Sequence, residues 1–253
     1  MYLEERRRLI IAKVQTDGRI DATQIAAELD VTTETVRKDL VSLERQGFLT
    51  RTHGGAISVQ RLGFEPETSV RQAVMSDAKL RIAEAAMSEV PADGSIIIDG
   101  GTTTALMPRF FSVDANLHVV TNSLQIQNAL SDRPNTTVMA VGGVVRPVSQ
   151  CSVGPWAVNA LVDVRVDVAF IGVNGFSLDH GLTTSDQAEA EVKRQMMKSA
   201  RQVVLLADSS KLGADYFHRF GTLADVDVII TDSGVDDELA ADLRTEGHRL
   251  VIA

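Results

Sequence analysis

The chain has 253 residues, 44% of them hydrophobic and 23% charged, with a formal net charge of −9. That length exceeds the ~100–200 residues of one domain, so two domains are expected, and the composition is that of a globular protein. A single cysteine, Cys151, excludes an internal disulfide and a cysteine-built zinc site, no apolar run reaches the ~18 residues of a membrane span, and the acid-containing N-terminus is unlike a signal peptide, so a cytoplasmic protein is expected.

The acid excess is unevenly spread. Residues 1–60 hold 9 Lys+Arg and 9 Asp+Glu, whereas the remainder holds 16 and 25. The N-terminal part can present a local basic face to nucleic acid, which the acidic remainder does not favour.

Leu3, Ile10 and Val14, with Leu9 and Ile11 beside them, have helical spacing that Asp17-Gly18 stops. Arg6, Arg7 and Arg8 fall on the outer side of this helix, read first as a solvated face and second as phosphate contacts. Asp21 with Gln24 resembles a capping box opening a second helix, whose buried face is Ile25, Ala26 and Leu29. Asp30-Val31 makes a turn, and Thr32 caps a third helix predicted over 33–46 and ended by Gly47. Val36, Leu40 and Leu43 face inward at i, i+4, i+7. Thr33, Glu34, Arg37 and Lys38 then face outward near the helix N-terminus, the end that reaches base edges in a helix-turn-helix. Arginine can bridge the two acceptors of guanine, and threonine can touch phosphate or a thymine methyl. Asp39 and Glu44 would be repelled by phosphates and are placed away from the DNA backbone. Phe48-Leu49 and Ala56-Ile57 flank Thr50–Gly55, which reads as a wing. Arg51 is its expected phosphate or minor-groove contact; His53 reads first as structural and stands second among the candidate contacts.

The stretch SVQRLGFEPET, from Ser58, contains Gly63 and Pro66 and has no clear period. The predicted division is therefore 1–57 for the DNA-binding domain, 58–72 for a linker and 73–253 for a second domain. One helix is predicted over about 70–90, containing Lys79, Ile82, Ala83 and Ala86. Seven short β-branched runs follow at 95–99, 117–121, 136–141, 167–173, 203–207, 227–231 and 249–253, alternating with helical stretches. Several are continuously apolar, which predicts an α/β domain with a mostly parallel, doubly wound sheet covered on both faces. Ligands of such sheets bind at the carboxyl ends of the strands.

Polar clusters mark those ends. The first, Asp99-Gly100-Gly101-Thr102-Thr103-Thr104, follows an apolar strand and precedes a helix start, so its free amides and hydroxyls suit an anion, although an ordinary strand-to-helix turn has the same look. Pro108 is tolerable there only within the first turn of the helix. The others are Thr121-Asn122-Ser123; Gly142-Gly143 with Arg146; Gly172-Val173-Asn174-Gly175; and Asp208-Ser209-Ser210-Lys211, whose lysine reads equally as phosphate partner or surface charge. Over 189–200, Val192, Met196 and Ala200 form a buried stripe, while Glu189 and Lys193 share a face at i, i+4 and read first as a helix ion pair. Cys151 reads as a small packing residue.

The string VTTETVRKDLVSLERQGFLTRTHGGA resembles the DNA-binding signature of the DeoR family of bacterial regulators. Where that family carries two adjacent arginines, this chain has Arg37-Lys38; lysine keeps the charge without the bidentate fork. DGGTTT, VVTNSL, GGVVR with SVGPWA, DVAFIGVNG, GLTT, EAEVKR, LLADSSK and IITD resemble the family's effector domain in the same order. The resemblance implies an N-terminal all-α winged helix-turn-helix and a C-terminal fold similar to ribose-5-phosphate isomerases and CoA transferases. It also implies a phosphorylated sugar or related metabolite as effector. On this reading the chain is a transcription repressor of carbohydrate metabolism and not an enzyme, with no cofactor, metal or membrane. Its partners are operator DNA, the sugar phosphate and further copies of itself, as a dimer or tetramer. Two other functions stay open at this point. One is a sugar-phosphate isomerase with a DNA-binding appendage, using Asp99, Asp186, Glu189 or Asp208 as its carboxylate base; the other is a metabolite-binding scaffold whose small domain binds protein.

Overall fold

A computed structural model describes residues 2–45, 48–58, 62–63 and 65–253. By its internal contacts the chain divides into a small unit, Met1–Ser76, and a large unit, Asp77–Ala253.

In the small unit, α1 (Leu3–Asp17) ends at Gly18, whose φ of 68° only glycine adopts readily. β1 (Arg19–Asp21) leads into α2 (Ala22–Glu28). Asp21 caps α2 by accepting from the amides of Thr23 and Gln24 at 2.8 and 3.0 Å. The reciprocal half of the expected capping box is not made, because the Gln24 side chain turns to Glu28 instead. Asp30 supplies the turn at φ 52°, a left-handed conformation that aspartate tolerates. α3 (Thr33–Arg45) then starts on the Thr32 hydroxyl, which accepts from the Thr35 amide at 3.1 Å. The expected helix stop at Gly47 lies outside the described residues. Ile10, Ile11, Val14, Ile25, Val36, Leu40, Leu43 and Leu49 form the core, while Leu3 and Leu9 are exposed. The wing is the hairpin of β2 (Leu49–Thr52) and β3 (Gly55–Ser58), and β1 pairs with β3 to complete a three-stranded sheet in the order β1-β3-β2.

The single helix expected over 70–90 is broken. α4 (Thr68–Ala73) packs on α1 and puts Val70 into the small core, so this part of the expected linker belongs to the small unit. Val74 is extended and Met75 has φ 54°; α5 (Ser76–Ala85) starts only after this reversal and runs into a 3₁₀ turn at Ala86–Glu89.

All seven apolar runs of the large unit are strands of one parallel sheet. β4 (Asp93–Ile98), β5 (Asn116–Thr121) and β6 (Thr136–Ala140) step outward in one direction, with α6 (Leu124–Leu130) between the last two. A hairpin of β7 (Val144–Arg146) and β8 (Cys151–Val153) follows, then α7 (Pro155–Val162) returns the chain to β9 (Val166–Gly172), on the other side of β4. From there β10 (Gly175–Ser177), β11 (Gly181–Thr184), α8 (Gln187–Lys198), β12 (Ala200–Leu206), β13 (His218–Gly221), β14 (Val228–Thr231), α9 (Asp237–Thr245) and β15 (Arg249–Ile252) proceed outward in the opposite direction. The sheet order is β15-β14-β12-β9-β4-β5-β6. Right-handed crossovers on strands that reverse direction of travel place helices on opposite faces. Accordingly Ile96, Ile98, Phe170 and Leu206 pack with α5 and α6, while Ile97, Ile171, Leu205 and Ile229 pack with α7, α8 and α9. The second face also carries the small antiparallel sheet β10-β11-β13, through Phe176, Leu182 and Phe220.

Gly55 sits where β1 and β3 approach so closely that a methyl group would overlap the Ile20 carbonyl. Gly55→Ala should therefore push β1 off the wing and destabilise the small unit by roughly 1–3 kcal/mol, the usual cost of overpacking. Urea unfolding followed in the isolated residues 1–76 and in the whole chain checks this.

Candidate DNA-reading and ligand-binding sites

On α3 the burial pattern separates two faces. Val36, Leu40 and Leu43 are buried, Glu34, Arg37 and Lys38 are exposed, and Thr33 is half-buried. Arg51 and His53 are exposed on the wing. These six residues therefore occupy the outer surface of the recognition helix and the hairpin beside it. The three N-terminal arginines do not share one role. Arg8 is exposed, but Arg6 and Arg7 clamp the buried Asp39 carboxylate, with Nε to oxygen distances of 2.6 and 3.0 Å. They join α1 to α3 across 33 and 32 residues, so the reading of all three as a solvated face is corrected for Arg6 and Arg7. Asp39 points inward, away from the exposed face that carries Glu34, Arg37 and Lys38.

In the large unit, strand travel reverses between β4 and β9, and there the polar clusters meet. Asp99, just past β4, is 2% exposed. Its Oδ2 accepts from the Gly172 amide at 3.0 Å and from the Lys193 ammonium, which also donates to the Gly172 carbonyl at 3.0 Å. Lys193 lies on α8 and stands 5.5 Å over the Phe220 ring. Burial alone pulls this ammonium's pKa down, but Asp99 and Glu189 outweigh it, so the net direction is up and Lys193 stays charged. Of the expected helix pair at 189 and 193, Lys193 bonds Asp99 across the sheet edge and Glu189 bonds Arg146, while Glu189 acts on Lys193 through its charge.

Asn122, just past β5, fixes the next piece. Its carbonyl oxygen accepts from the Gly100 amide at 3.2 Å, and its amide donates to the Ser152 carbonyl at 3.1 Å. Glycine is required at 100 because a methyl there would overlap the Cys151 sulfur. Cys151 is buried in this corner; burial first, then the Asp99 and Glu189 charges, push its pKa up to about 12. On β7, Arg146 reaches Glu189 at 3.2 Å and Asp186 at 3.3 Å. The Thr184 hydroxyl lies 3.3 Å from Glu189 and 3.2 Å from Asn174. Asp99, Gly100, Asn122, Arg146, Asn174, Glu189 and Lys193 are therefore gathered in one bonded cluster at the carboxyl edge of the sheet, where a doubly wound topology opens its crevice. Asp186 and Thr184 join them; Asp186 had been considered only as a catalytic base, and Thr184 stood only within the GLTT match.

The remaining candidates lie outside this bonded cluster, with Gly101 and Thr104 beside Gly172 at its edge. The helix expected after the DGGTTT loop is a short 3₁₀ turn, Thr104–Arg109, that includes Pro108, so no long helix dipole points at the loop. Thr104 is buried and donates to the Gly101 carbonyl at 3.1 Å; Thr103 is buried, and Gly101 and Thr102 are half-buried. Ser123 is buried and caps α6 through the Ile126 amide. Gly143 precedes the β7–β8 hairpin. Asp208 is 1% exposed, bonds to Ser210 and lies 3.8 Å from the buried Lys79 of α5. Lys211 is half-buried at the end of the 3₁₀ turn Ser209–Lys211. Among the described residues no group of three or more His, Cys, Asp and Glu could hold a metal ion, and no helix is long and apolar enough to cross a membrane.

A winged helix-turn-helix followed by a doubly wound unit with a polar crevice at its switch point defines a DNA-binding regulator with a ligand-sensing unit. Residues 6–61 match the model of the DeoR-like helix-turn-helix domain, and residues 74–233 that of the DeoR C terminal sensor domain. The chain belongs to the DeoR family of transcription regulators. It is 35% identical over 233 residues to the HTH-type transcriptional repressor GlcR of Bacillus subtilis, covering 92% of this chain and 89% of that protein. It is 32% identical over 248 residues to the HTH-type transcriptional regulator GlpR of Haloferax volcanii, covering 98% and 96%. Among solved structures, ribose 5 phosphate isomerase A of Neisseria gonorrhoeae is similar at 16% identity and a TM-score of 0.40, over 54% of this chain and 53% of that one.

Lys193→Met would leave Asp99 charged, buried and short of its counter-ion. We expect a loss of about 3–5 kcal/mol, the cost of breaking one side of a buried pair. Adding Asp99→Asn should restore most of it, because the orphaned charge is then gone. Urea melts of the two single variants and the double variant read this coupling directly.

Proposed function

We propose that this regulator is a repressor that reads operator DNA with α3 and the wing, and that a phosphorylated sugar in the switch-point crevice releases it. The observation that carries the reading is the gathering of Asp99, Asn122, Arg146, Glu189 and Lys193 at the carboxyl edge of the sheet, where doubly wound folds bind ligands. Names of relatives support a repressor: one is a "Putative aga operon transcriptional repressor" from Escherichia coli O157:H7 and another an "HTH-type transcriptional repressor" from Bacillus subtilis.

The charges favour a sensor over an isomerase. A general base needs a carboxylate free to take a proton. Asp99 is held by Lys193 and the Gly172 amide, Glu189 by Arg146 and Thr184, and Asp186 by Arg146 and the Glu189 amide. Each carboxylate is thus already engaged by a cation or by hydrogen-bond donors rather than held open toward a substrate proton. For a sugar, the same polar groups offer donors and acceptors to hydroxyls. The phosphate is assigned to the Gly100–Thr104 loop with Lys211 as counter-charge, and Arg146 exchanges a carboxylate for the phosphate when the sugar binds.

In the DNA-reading half, Arg37 is assigned to base edges, with Lys38 and Arg51 holding phosphates and Thr33, Glu34 and His53 beside them. One such unit reads few bases, so function as a dimer or higher oligomer on paired half-sites belongs to this reading; light scattering showing a single chain on operator DNA would remove it.

Arg37→Ala should cost roughly 1–3 kcal/mol of operator affinity and relax base preference, whereas Lys38→Ala should weaken all duplexes alike and lower the salt slope by about one. Fluorescence anisotropy over a salt series separates the two.

For the sensor half, a panel of hexose and pentose phosphates is titrated into the protein–operator complex beside the corresponding free sugars. A phosphate should release DNA where its free sugar does not, and Lys211→Ala should bind DNA normally while losing that response. Release by the free sugar at equal concentration would remove the anion-site assignment.

A further inference from the structure

We infer that Glu44 is a positioning residue for DNA recognition: its carboxylate ties the outer strand of the wing to the end of α3 and so sets where Arg51 meets the duplex. In the order β1-β3-β2, β2 is an edge strand, paired among the described residues on its β3 side. The Arg51 amide of that strand donates to Glu44 Oε1 at 2.9 Å, and the Arg51 guanidinium Nε lies 3.9 Å from Glu44 Oε2. One carboxylate thus engages both the backbone and the side chain of the same wing residue, seven positions along the chain. Leu43 and Leu49, on either side of the connection, are buried in the core, so the tether acts on elements already anchored below.

Electrostatics alone argues against an acid here. Glu44 and Arg51 are both exposed, with side chains 41% and 45% accessible. A carboxylate on a surface that approaches phosphates weakens binding through repulsion and through loss of counter-ion release. A surface ion pair of this exposure also contributes little to stability. What the carboxylate supplies is direction: a charge-assisted bond to an edge amide fixes the strand, and the guanidinium is held on the side from which it projects. Asp39 of the same helix is buried between Arg6 and Arg7, whereas Glu34 and Glu44 are exposed, and of these two Glu44 is the one that bonds the wing.

The inference rests on the reading of Arg51 as a DNA contact, and the test separates the two. Full-length wild type, Glu44→Gln, Glu44→Ala and Arg51→Ala are titrated, by anisotropy at several salt concentrations, against a duplex selected by the wild type from a random pool and against a scrambled duplex. Glutamine keeps an acceptor for the Arg51 amide and loses the charge; alanine loses both. We expect Glu44→Gln to bind the selected duplex at least as tightly as wild type. Glu44→Ala should lose roughly five- to tenfold, about the net worth of one ordinary hydrogen bond, with a smaller loss on the scrambled duplex and an unchanged melting temperature. Equal tightening by both Glu44 variants would make the residue a mere repulsive charge and overturn the inference. So would wild-type binding by Glu44→Ala beside weakened binding by Arg51→Ala, which leaves the wing contact standing. A wild-type Arg51→Ala removes the wing contact itself, and the inference with it.

Discussion

The buried bond between Lys193 and Asp99 ties the large unit together where strand travel reverses. In this chain that point lies between β4 and β9, which pair directly as neighbouring parallel strands. Asp99 spans it by accepting from the Gly172 amide, and Lys193, reaching in from α8, bonds both Asp99 and the Gly172 carbonyl. Two charges removed from water are tolerable only because each compensates the other. The crevice that the topology opens is therefore lined by groups whose orientation is fixed before any ligand arrives.

That fixation bears on function. Lys193 and Arg146 face Asp99, Glu189 and Asp186, so the crevice is not a plain cationic hole. On the proposed reading a sugar phosphate would exchange existing bonds rather than fill a vacancy, and Arg146, on the short β7–β8 hairpin, bonds carboxylates at the start of α8. A ligand that redirects Arg146 changes how the hairpin is held to α8. A difference in contacts of that kind, between liganded and unliganded states, is what a regulator needs, since an effector shifts an equilibrium only through its differential affinity for the two states.

Much of this was legible in the sequence because the decisive signals are local. Continuous β-branched runs such as Ile96-Ile97-Ile98 and Val203–Leu206 admit few readings other than buried parallel strands, and all seven were placed within a few residues. Asp17-Gly18, Asp21 and Thr32 marked helix ends correctly, through backbone conformation and side-chain bonds that span at most three residues. What escaped was non-local or unsignalled. The strands β10, β11 and β13 are three or four residues long and rest on pairings made elsewhere in the chain. The break before α5 falls at Val74 and Met75, where no glycine or proline announces it. Arg6 and Arg7 meet Asp39 from more than thirty residues away, so their charge pattern alone read as a surface. In the crevice, residues at strand ends were recognised by position, whereas Ser123 and Asp208 shared that position but serve as caps of the elements they begin.

The central claim, that occupancy of the switch-point crevice controls DNA binding, has a thermodynamic signature independent of any mutation. If a sugar phosphate lowers operator affinity by some factor, operator must lower affinity for that sugar phosphate by the same factor. The most direct measurement is calorimetric titration of the most effective sugar phosphate into the protein alone and into the protein saturated with operator duplex. The account predicts weaker binding to the DNA-saturated form, by the factor found for DNA release. Equal affinity for the two forms would contradict it.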